Sequence, residues 1–286
     1  MDFQSQGDVT NFPAGETKVL LVLGGNGRLA RMLRQIWRDA PLDGWAPVWC
    51  GRRSDPGIDA VWSPGDPPPC LADAVLALWG VVPGKGDLGD NTRLALAAMA
   101  LGRESGAKRV LHCSSAAVYG PGRILHESSP CMPENTYGAA KLAMEAAISA
   151  ESAPAACVMR LANVVGADSL FRSLSSNAPM VLDRFADQQG PRRSYAAPSH
   201  ILCAIASLLK VNPLPRVINV ALPGAVGMDD LAQAAGREFD WRVAPEGALA
   251  EVVMDTRRLQ ALTGEAAQAS APAIIAEWRR LRGSLV

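Results

Sequence analysis

The sequence predicts an α/β protein with a doubly wound parallel sheet and a smaller C-terminal lobe. Short apolar runs alternate with helix-like segments over the first half of the chain. The first apolar run leads straight into a glycine-rich turn, as a strand does before the first helix of such a sheet. After about residue 166 the alternation loosens, which indicates where the smaller lobe begins.

The individual elements follow from the same pattern. Short continuous apolar runs bounded by polar or Pro-rich breaks predict buried strands, and longer Ala/Leu/Met-rich segments predict helices. In chain order the predicted elements are a strand at Lys18–Leu23, a helix at Leu29–Trp37, strands at Trp45–Cys50, Ala60–Trp62 and Ala74–Val82, a helix at Asn91–Gly102, a strand at Arg109–Cys113, a helix at Tyr137–Glu151, a strand at Ala155–Leu161, a helix at Ser199–Lys210, a strand at Val217–Val220, an element at Met228–Glu238 and a helix at Ala273–Arg282. This order predicts right-handed parallel crossovers.

The domain organisation follows from where the periodic segments lie. The 286 residues, 49% of them hydrophobic, are enough for one large core or two unequal lobes. Residues 1–17 show no period and predict a flexible tail. We expect residues 18–165 to form the main domain, with 199–222 returning to it, and residues 166–198 and 223–286 to form the smaller lobe.

Composition excludes several classes of partner. Lys and Arg total 28 and Asp and Glu total 28, so no overall field draws the protein to nucleic acid or an anionic membrane. The six cysteines are scattered without CxxC pairs, and no signal peptide or membrane-length apolar run is seen, which predicts a cytoplasmic protein. No metal site is expected, because His112, His126 and His200 lack ligand spacing.

The glycine-rich turn at residues 24–30 (GGNGRLA) predicts a nucleotide site. Glycine permits a tight turn and lets the backbone approach a pyrophosphate, and the start of a helix supplies unpaired N–H groups for the anion. Taken alone, such a turn is also compatible with a purely structural role. Together with the strand–helix alternation it predicts a Rossmann-like site formed by Gly24, Gly25, Asn26, Gly27, Arg28 and Leu29.

Two arginines at the end of the second apolar run bear on the choice of dinucleotide. Arg52 and Arg53 stand where an acidic residue would hold a ribose 2′-hydroxyl. Guanidinium groups suit a 2′-phosphate, so NADP is favoured over NAD, although both arginines could instead be solvated surface groups. Asp66 is placed to accept a hydrogen bond from the adenine amino group, or to be an ordinary turn aspartate.

Tyr137 and Lys141 predict a proton-transfer site. They lie four residues apart at the start of a predicted helix and therefore on one face of it. A phenol has a pKa near 10, and positive charge from an ammonium and an oxidised nicotinamide favours its phenolate. We expect Tyr137 to accept a hydroxyl proton as hydride leaves, and Lys141 to hold the nicotinamide ribose as well.

A serine at the end of the fifth apolar run completes this set. Ser115 is expected at the carboxyl edge of the sheet, where its hydroxyl can polarise a substrate oxygen. Ser114 is the rival donor, and local backbone capping is the alternative role for either serine.

With these residues in place, the chain resembles the extended short-chain dehydrogenase/reductase family. The resemblance is strongest to its NAD(P)-dependent epimerase/dehydratase branch, which includes UDP-glucose 4-epimerase-like proteins. The matching segments, in family order, are 24–30 (GGNGRLA), 114–120 (SSAAVYG), 137–141 (YGAAK), 160–166 (RLANVVG), 217–220 (VINV) and 254–259 (MDTRRL). The resemblance implies catalytic roles for Ser115, Tyr137 and Lys141, and a pocket for nicotinamide and substrate around Asn163.

The chain also departs from the family pattern. Nucleotide-sugar members carry an acidic pair after their Arg-Asp-Tyr/Phe motif, and residues 193–200 (RSYAAPSH) lack it, although Arg193 still suits a sugar-nucleotide diphosphate. Ala116 and Ala117 replace the Asp-Glu pair of 4,6-dehydratases, which disfavours elimination of water. The resemblance further implies a homodimer through the helices at Asn91–Gly102 and Tyr137–Glu151.

The expected function is hydride transfer at a hydroxyl-bearing carbon. The SSAAVYG segment favours an epimerase of nucleotide sugars, whereas Arg52 and Arg53 favour an NADPH-dependent reductase or dehydrogenase of another small carbonyl substrate. A third interpretation is a dinucleotide-sensing protein without turnover, since fold alone does not fix function. The Ser-Tyr-Lys set argues against that third interpretation.

Overall fold

The computed structural model describes residues 17–265 and 267–285, so all but Thr17 of the predicted tail lies outside the described residues. The strands, numbered in chain order, are β1 (Lys18–Leu23), β2 (Trp45–Gly51), β3 (Ala60–Val61), β4 (Ala74–Ala77), β5 (Arg109–Ser115), β6 (Gly122–Leu125), β7 (Ala155–Leu161), β8 (Asn163–Val164), β9 (Val181–Arg184), β10 (Arg192–Arg193), β11 (Tyr195–Ala196), β12 (Val217–Val220), β13 (Val226–Gly227), β14 (Asp240–Val243) and β15 (Glu251–Met254). The α-helices are α1 (Arg28–Asp39), α2 (Asp90–Ser105), α3 (Thr136–Ser149), α4 (Ser169–Leu174), α5 (Pro198–Lys210), α6 (Met228–Ala234), α7 (Arg257–Thr263) and α8 (Ala271–Leu281).

A seven-stranded parallel sheet forms the centre of the molecule, in the order β12-β7-β5-β4-β1-β2-β3. The predicted α/β, doubly wound fold is therefore confirmed. The strand order changes direction at β1, which lies between β4 and β2. In open sheets of this kind, ligands bind at the carboxyl edge beside such a switch point.

Burial on both faces explains why β1 is a continuous apolar run. Leu20 and Val22 pack into one core with residues of α1 and α5, while Leu21 and Leu23 pack into another with residues of α2. Helices therefore cover both sides of the sheet, as parallel sheets require. None of the described helices is both long and apolar enough to cross a membrane.

The smaller strands lie outside this sheet. A four-stranded sheet has the order β13-β10-β15-β6, and two further pairs are β11 with β8 and β14 with β9. These strands are two to four residues long, too short for an alternating pattern to stand out in the sequence. A separate core with Phe171, Tyr195 and Trp278 fills the space beneath them. The residue boundaries predicted for the two lobes stay predictions.

Two predicted elements end at least four residues earlier than expected. The strand predicted at Ala74–Val82 stops at Ala77, because Ala77 pairs with Leu23, where β1 ends, and the chain then leaves the sheet at Trp79. The element predicted at Met228–Glu238 is a helix that stops at Ala234. Gly236 has φ +69°, a left-handed conformation that ends the helix before β14.

Candidate active site

Two cavities open at the carboxyl edge of the central sheet. The turn cavity, of about 660 Å³, surrounds the glycine-rich turn and is lined by Gly24, Asn26, Gly27, Arg52 and Arg53 among others. The tyrosine cavity, of about 550 Å³, is lined by Ser115, Tyr137, Asn163, Asp168 and Arg193 among others. The structure thus brings most of the predicted site residues to one edge, in two groups.

The glycines of the turn are required by close backbone contacts. Gly24 has φ +85°, and a Cβ atom there would stand 2.8 Å from the backbone nitrogen of Trp79. At Gly27 a Cβ atom would stand 3.0 Å from the carbonyl oxygen of Gly24, and at Gly25 it would meet the Ile58 side chain at 2.7 Å. No larger residue fits these positions without movement of the turn.

The turn places the start of α1 at the cavity, and no side chain occupies the N–H donors at this end of the helix. Gly27 is the N-cap residue, and no side chain caps the helix there. The first N–H groups of a helix lack partners within the helix and carry positive dipole charge. This twelve-residue helix and its glycine turn fit the pyrophosphate of a dinucleotide.

Side chains in the turn have structural partners. The Asn26 amide donates to Asp55 Oδ2 at 2.6 Å and to the Arg53 carbonyl oxygen at 3.2 Å. Arg28 reaches the carbonyl oxygen of Gly166 at 3.5 Å, and Leu29 packs against the main core. These side chains are therefore engaged within the protein, and the backbone N–H groups of the turn remain for the predicted nucleotide.

The two arginines at the end of β2 differ in their surroundings. Arg53 forms an exposed ion pair with Asp55 at 3.2 Å. Arg52 lines the turn cavity and has no hydrogen bond or ion pair with any residue in the described ranges. Asp66 does not line that cavity: its carboxylate accepts the Ser63 N–H at 2.8 Å, which is the turn role given above as the alternative.

Two further cationic side chains line the turn cavity, and the sequence analysis did not identify them. Lys85 lies on the loop between β4 and α2, and Arg93 lies in the first turns of α2, where it binds Asp90 at 2.9 Å. Asn91 anchors this loop through hydrogen bonds to the backbone of Val81 and Leu88. In the sequence, the glycines and lysine of residues 84–86 (GKG) could have indicated that this loop lines the cavity.

Ser115 and Tyr137 come from different elements to the wall of the tyrosine cavity. Ser115 ends β5, and Tyr137 lies in the first turn of α3, whose start is capped by Asn135 through the Gly138 N–H at 2.8 Å. Burial raises the pKa of Tyr137 above its ordinary value, and a hydrogen bond from Ser115 partly lowers it. On balance the pKa of the phenol is therefore raised within the protein, whereas the sequence analysis expected it to be lowered.

Lys141 is buried behind the two cavities, with 4% of its surface exposed. Its Nζ donates to the carbonyl oxygen of Cys113 at 3.0 Å and lies 6.0 Å from the centre of the Tyr137 ring. Burial lowers the pKa of Lys141, and nearby Cys113 and Glu145 partly oppose that. The ammonium lies beside Gly80, which lines the turn cavity.

Ser114, the rival of Ser115, is bound within the protein. Its hydroxyl donates to Glu145 Oε1 at 2.6 Å, and the same carboxylate pairs with Arg160 at 2.7 Å. Ser115 instead accepts the Ala117 N–H at 3.2 Å, so its hydroxyl proton remains available. The geometry favours Ser115 as the donor to a substrate oxygen.

The far wall of the tyrosine cavity is polar. Asn163 donates to Asp168 Oδ2 at 2.9 Å, and Asp168 also caps α4. Arg193 faces the same cavity, yet it donates to the carbonyl oxygens of Leu249 at 2.7 Å and Ala250 at 3.1 Å. Burial lowers the pKa of this arginine. Arg172, on α4, also lines the cavity and was missed by the sequence analysis.

Over residues 17–265 and 267–285, no group of three or more His, Cys, Asp and Glu residues is placed to hold a metal ion. The histidines occupy separate positions. His112 is buried against Met99, and His126 faces Asp255 at 3.3 Å. His200 is buried between Glu265 and the carbonyl oxygen of Ala221.

The chain resembles known proteins in both sequence and structure. Residues 81–197 match the model of the NAD dependent epimerase/dehydratase family. No curated protein matches the chain.

Three solved structures illustrate the structural match. MoeE5 in complex with UDP-glucuronic acid and NAD has a TM-score of 0.74 at 20% identity, over 91% of this chain and 98% of that one. A UDP-galactose 4-epimerase has a TM-score of 0.69 at 22% identity, over 94% and 100%. RMD from Pseudomonas aeruginosa complexed with NADPH has a TM-score of 0.72 at 22% identity, over 92% and 99%.

At these identities the structural matches show a shared fold, and the family model adds the sequence evidence for the region that contains Ser115, Tyr137 and Lys141. The resemblance predicted from the sequence is thereby confirmed. In sequence the chain resembles the NAD dependent epimerase/dehydratase family over residues 81–197, and in fold it resembles solved structures such as MoeE5 and a UDP-galactose 4-epimerase.

Proposed function

We propose that this protein is an NAD(P)-dependent epimerase that acts on a nucleotide sugar by transient oxidation of a hydroxyl-bearing carbon. The observation that carries the proposal is the placement of Ser115 and Tyr137 on the wall of the tyrosine cavity, with Lys141 near both the Tyr137 ring and Gly80 of the turn cavity. A dinucleotide in the first cavity and a sugar in the second would meet at these three residues.

The proposed chemistry assigns one task to each residue. Ser115 donates a hydrogen bond to the reacting substrate oxygen, and Tyr137 removes the hydroxyl proton through its phenol oxygen. The nicotinamide of a bound NAD(P) supplies the hydride acceptor. Lys141 places a positive charge behind Tyr137 and beside Gly80, where it favours the phenolate and helps hold the cofactor.

With a dinucleotide bound, return of the hydride to the opposite face of the keto sugar would complete an epimerisation. Tyr137 then gives its proton back to the same oxygen, so neither a proton nor an electron pair is gained overall. Ala116 and Ala117 line the start of the tyrosine cavity and provide no acid or base for elimination of water. This supports epimerisation over dehydration.

The choice of a nucleotide sugar rests on cations in the tyrosine cavity. Arg172 and Arg193 lie on its walls and can bind a diphosphate through charge-assisted hydrogen bonds. The structures of MoeE5 in complex with UDP-glucose and with UDP-glucuronic acid give the same ligand class for a protein of this fold. Both lines support an anionic, polyhydroxylated substrate.

An NADPH-dependent reductase is the second candidate, and Arg52 is the observation that favours it. Its guanidinium lines the turn cavity without a partner among the described residues and suits the 2′-phosphate of NADP, which commonly serves net reduction. RMD from Pseudomonas aeruginosa, a structural neighbour, was solved with NADPH. Asp66 does not extend to this cavity, so we base the cofactor proposal on the glycine turn and Arg52.

Incubation with a panel of nucleotide sugars and their keto forms tests the proposal. Reduced nicotinamide absorbance and product stereochemistry are followed together, with Tyr137→Phe as the control. We expect an epimer without accumulation of reduced cofactor, and a loss of at least about 100-fold in the variant, which lacks only the proton-transferring oxygen.

Stoichiometric consumption of NADPH without an epimer would overturn the epimerase proposal in favour of the reductase. Full activity of Tyr137→Phe would remove Tyr137 from the mechanism. A dinucleotide-sensing protein would bind the cofactor and turn over nothing in the panel.

A further inference from the structure

We propose that Ser114 and Glu145 are positioning residues, which hold β5 and α3 in the register that aligns Ser115 with Tyr137. The inference deepens the proposed function, because it concerns the same site. Ser115 and Tyr137, which must both contact one substrate oxygen, lie on different elements, β5 and α3. Something must fix the distance between the end of β5 and the first turn of α3.

Three successive turns of α3 each contact one of the last three residues of β5. Tyr137, Lys141 and Glu145 are spaced four residues apart and therefore form one row along the helix. Tyr137 lies close enough to Ser115 for that residue to lower the pKa of its phenol, and Lys141 donates to the carbonyl oxygen of Cys113. Glu145 accepts the hydroxyl of Ser114 at 2.6 Å. The three side chains of this row thus lie against residues 113–115 of the strand.

The Glu145 carboxylate is itself held on its other side. Arg160 on β7 donates to both of its oxygens, at 2.7 to 3.2 Å, and both side chains are buried. The Arg160 guanidinium lies 4.6 Å from the centre of the Tyr119 ring. Tyr119 in turn donates to Asn219 on β12 at 2.6 Å. Glu145 therefore has little freedom to move.

A hydrogen bond between the protein's own groups does not by itself indicate a positioning role. Here, however, Ser114 is the neighbour of Ser115 on one strand, and Glu145 lies on the same helical row as Tyr137. Loss of the Ser114–Glu145 bond frees the end of β5 relative to α3 near the proposed reacting atoms. The expected consequence is misalignment of Ser115 with Tyr137 and not loss of cofactor.

Removal of Glu145 would leave the buried Arg160 without its carboxylate partner, a change that can prevent folding. Ser114→Ala is the cleaner variant, because the Glu145–Arg160 pair stays intact. Ser105→Ala is the matched control: Ser105 is equally buried, and its hydroxyl donates to the Gly102 carbonyl at 3.4 Å on α2. Ser114→Thr keeps the hydroxyl and serves as the rescue.

The main readout is the ionisation of Tyr137, followed by tyrosinate absorbance and assigned with Tyr137→Phe. The Tyr137→Phe variant is needed for this assignment, because burial also raises the pKa of Tyr119, to about 12, and that of Tyr195 further still. The groups that act on the Tyr137 phenol are Ser115 and Cys113 of β5, and Lys141 lies beneath its ring.

We expect Ser114→Ala to raise the pKa of Tyr137, because Ser115, which lowers it, is no longer held in place beside the phenol. We also expect kcat to fall by about tenfold with an unchanged Kd for the dinucleotide, since the defect is one of alignment. Ser114→Thr should restore both properties, and Ser105→Ala should change neither.

A tyrosine titration of Ser114→Ala that coincides with that of the wild-type protein would overturn the inference. This readout needs no substrate or cofactor. If the protein binds no dinucleotide, the proposed function fails while the titration still decides the role of Ser114 and Glu145.

Discussion

A Cβ atom on Gly80 would stand 3.0 Å from the ammonium nitrogen of Lys141, so the absence of a side chain at position 80 is what lets Lys141 lie against the turn cavity. The same Cβ would stand 2.9 Å from Asn91 Oδ1, which holds the loop after β4. Contacts this short force a neighbour to move. The position of Lys141 therefore depends on a residue outside the Tyr-Lys motif.

Gly80→Ala should displace Lys141 or Asn91 and weaken both dinucleotide binding and turnover. We expect a loss of about tenfold or more in kcat/KM, since small displacements of positioned groups cost this much. Fluorescence titration with NADP and NAD, followed by steady-state kinetics, measures both effects.

Gly89→Ala is the matched control on the same loop. A Cβ there would meet Asp87 at 3.4 Å, an ordinary contact distance. Wild-type cofactor affinity and turnover in Gly80→Ala would contradict the role that the structure gives to this glycine.

The fold and the central residues of the site were predictable because each has a local pattern. The run at Lys18–Leu23 is buried on both faces, and Gly24 follows it with the positive φ that favours glycine. Tyr137 and Lys141 are four residues apart, so helical geometry alone places them on one face.

Contacts between distant segments were not predictable. The choice between Ser114 and Ser115 depends on Glu145, which is 31 residues away from Ser114 in sequence and engages its hydroxyl. Arg193 was expected to face an anion freely, but its donors also bind a loop 56 residues further along. Propensity and periodicity carry no information on such partners.

Arg52 should determine the preference for NADP more strongly than Arg53. Arg53 shares its guanidinium with Asp55, whereas Arg52 has no partner among the described residues. A charge-assisted hydrogen bond contributes about 1.5–3 kcal/mol, so Arg52→Ala should weaken NADP binding by roughly tenfold to a hundredfold. NAD affinity should not change.

Titration of wild-type protein, Arg52→Ala and Arg53→Ala with both dinucleotides measures the preference. Arg38→Ala, in the last turn of α1, controls for the loss of one positive charge. Equal NADP and NAD affinities in all four proteins would show that neither Arg52 nor Arg53 contacts the 2′-phosphate.

His112 should make the protein less stable in mild acid. Burial, with a smaller effect of Lys141, lowers the pKa of His112 to about 3, whereas an unfolded chain binds a proton near pH 6.5. Below pH 6.5 the unfolded state therefore binds more protons, and stability falls as the pH drops towards 3. The loss between pH 7 and pH 5 should be about 2 kcal/mol.

Urea unfolding of wild-type protein and His112→Leu near pH 7 and pH 5 checks this value. His112→Leu should lose less stability over this interval, because its side chain does not titrate. His126→Gln is the control at a more exposed histidine. An identical pH dependence in wild-type protein and His112→Leu would show that His112 is not the group responsible.

Arg193 should serve two purposes that substitution can separate. Its guanidinium holds the loop at Leu249 and Ala250 through two backbone carbonyls, and its remaining N–H groups are left to an anion in the tyrosine cavity. Arg193→Lys keeps the charge but loses the planar fork of donors. We expect it to loosen the loop while it retains most of the affinity for a nucleoside diphosphate, whereas Arg193→Ala should lose both.

Limited proteolysis of the loop at residues 244–250 and calorimetric titration with UDP measure the two properties. Arg172→Ala provides the comparison, because Arg172 lines the same cavity and the described residues include no hydrogen-bond or ion-pair partner for it. It should weaken UDP binding by about tenfold without opening the loop. If neither Arg193→Ala nor Arg172→Ala alters UDP affinity, the cations of the tyrosine cavity do not bind a diphosphate, and the substrate must be sought outside the nucleotide sugars.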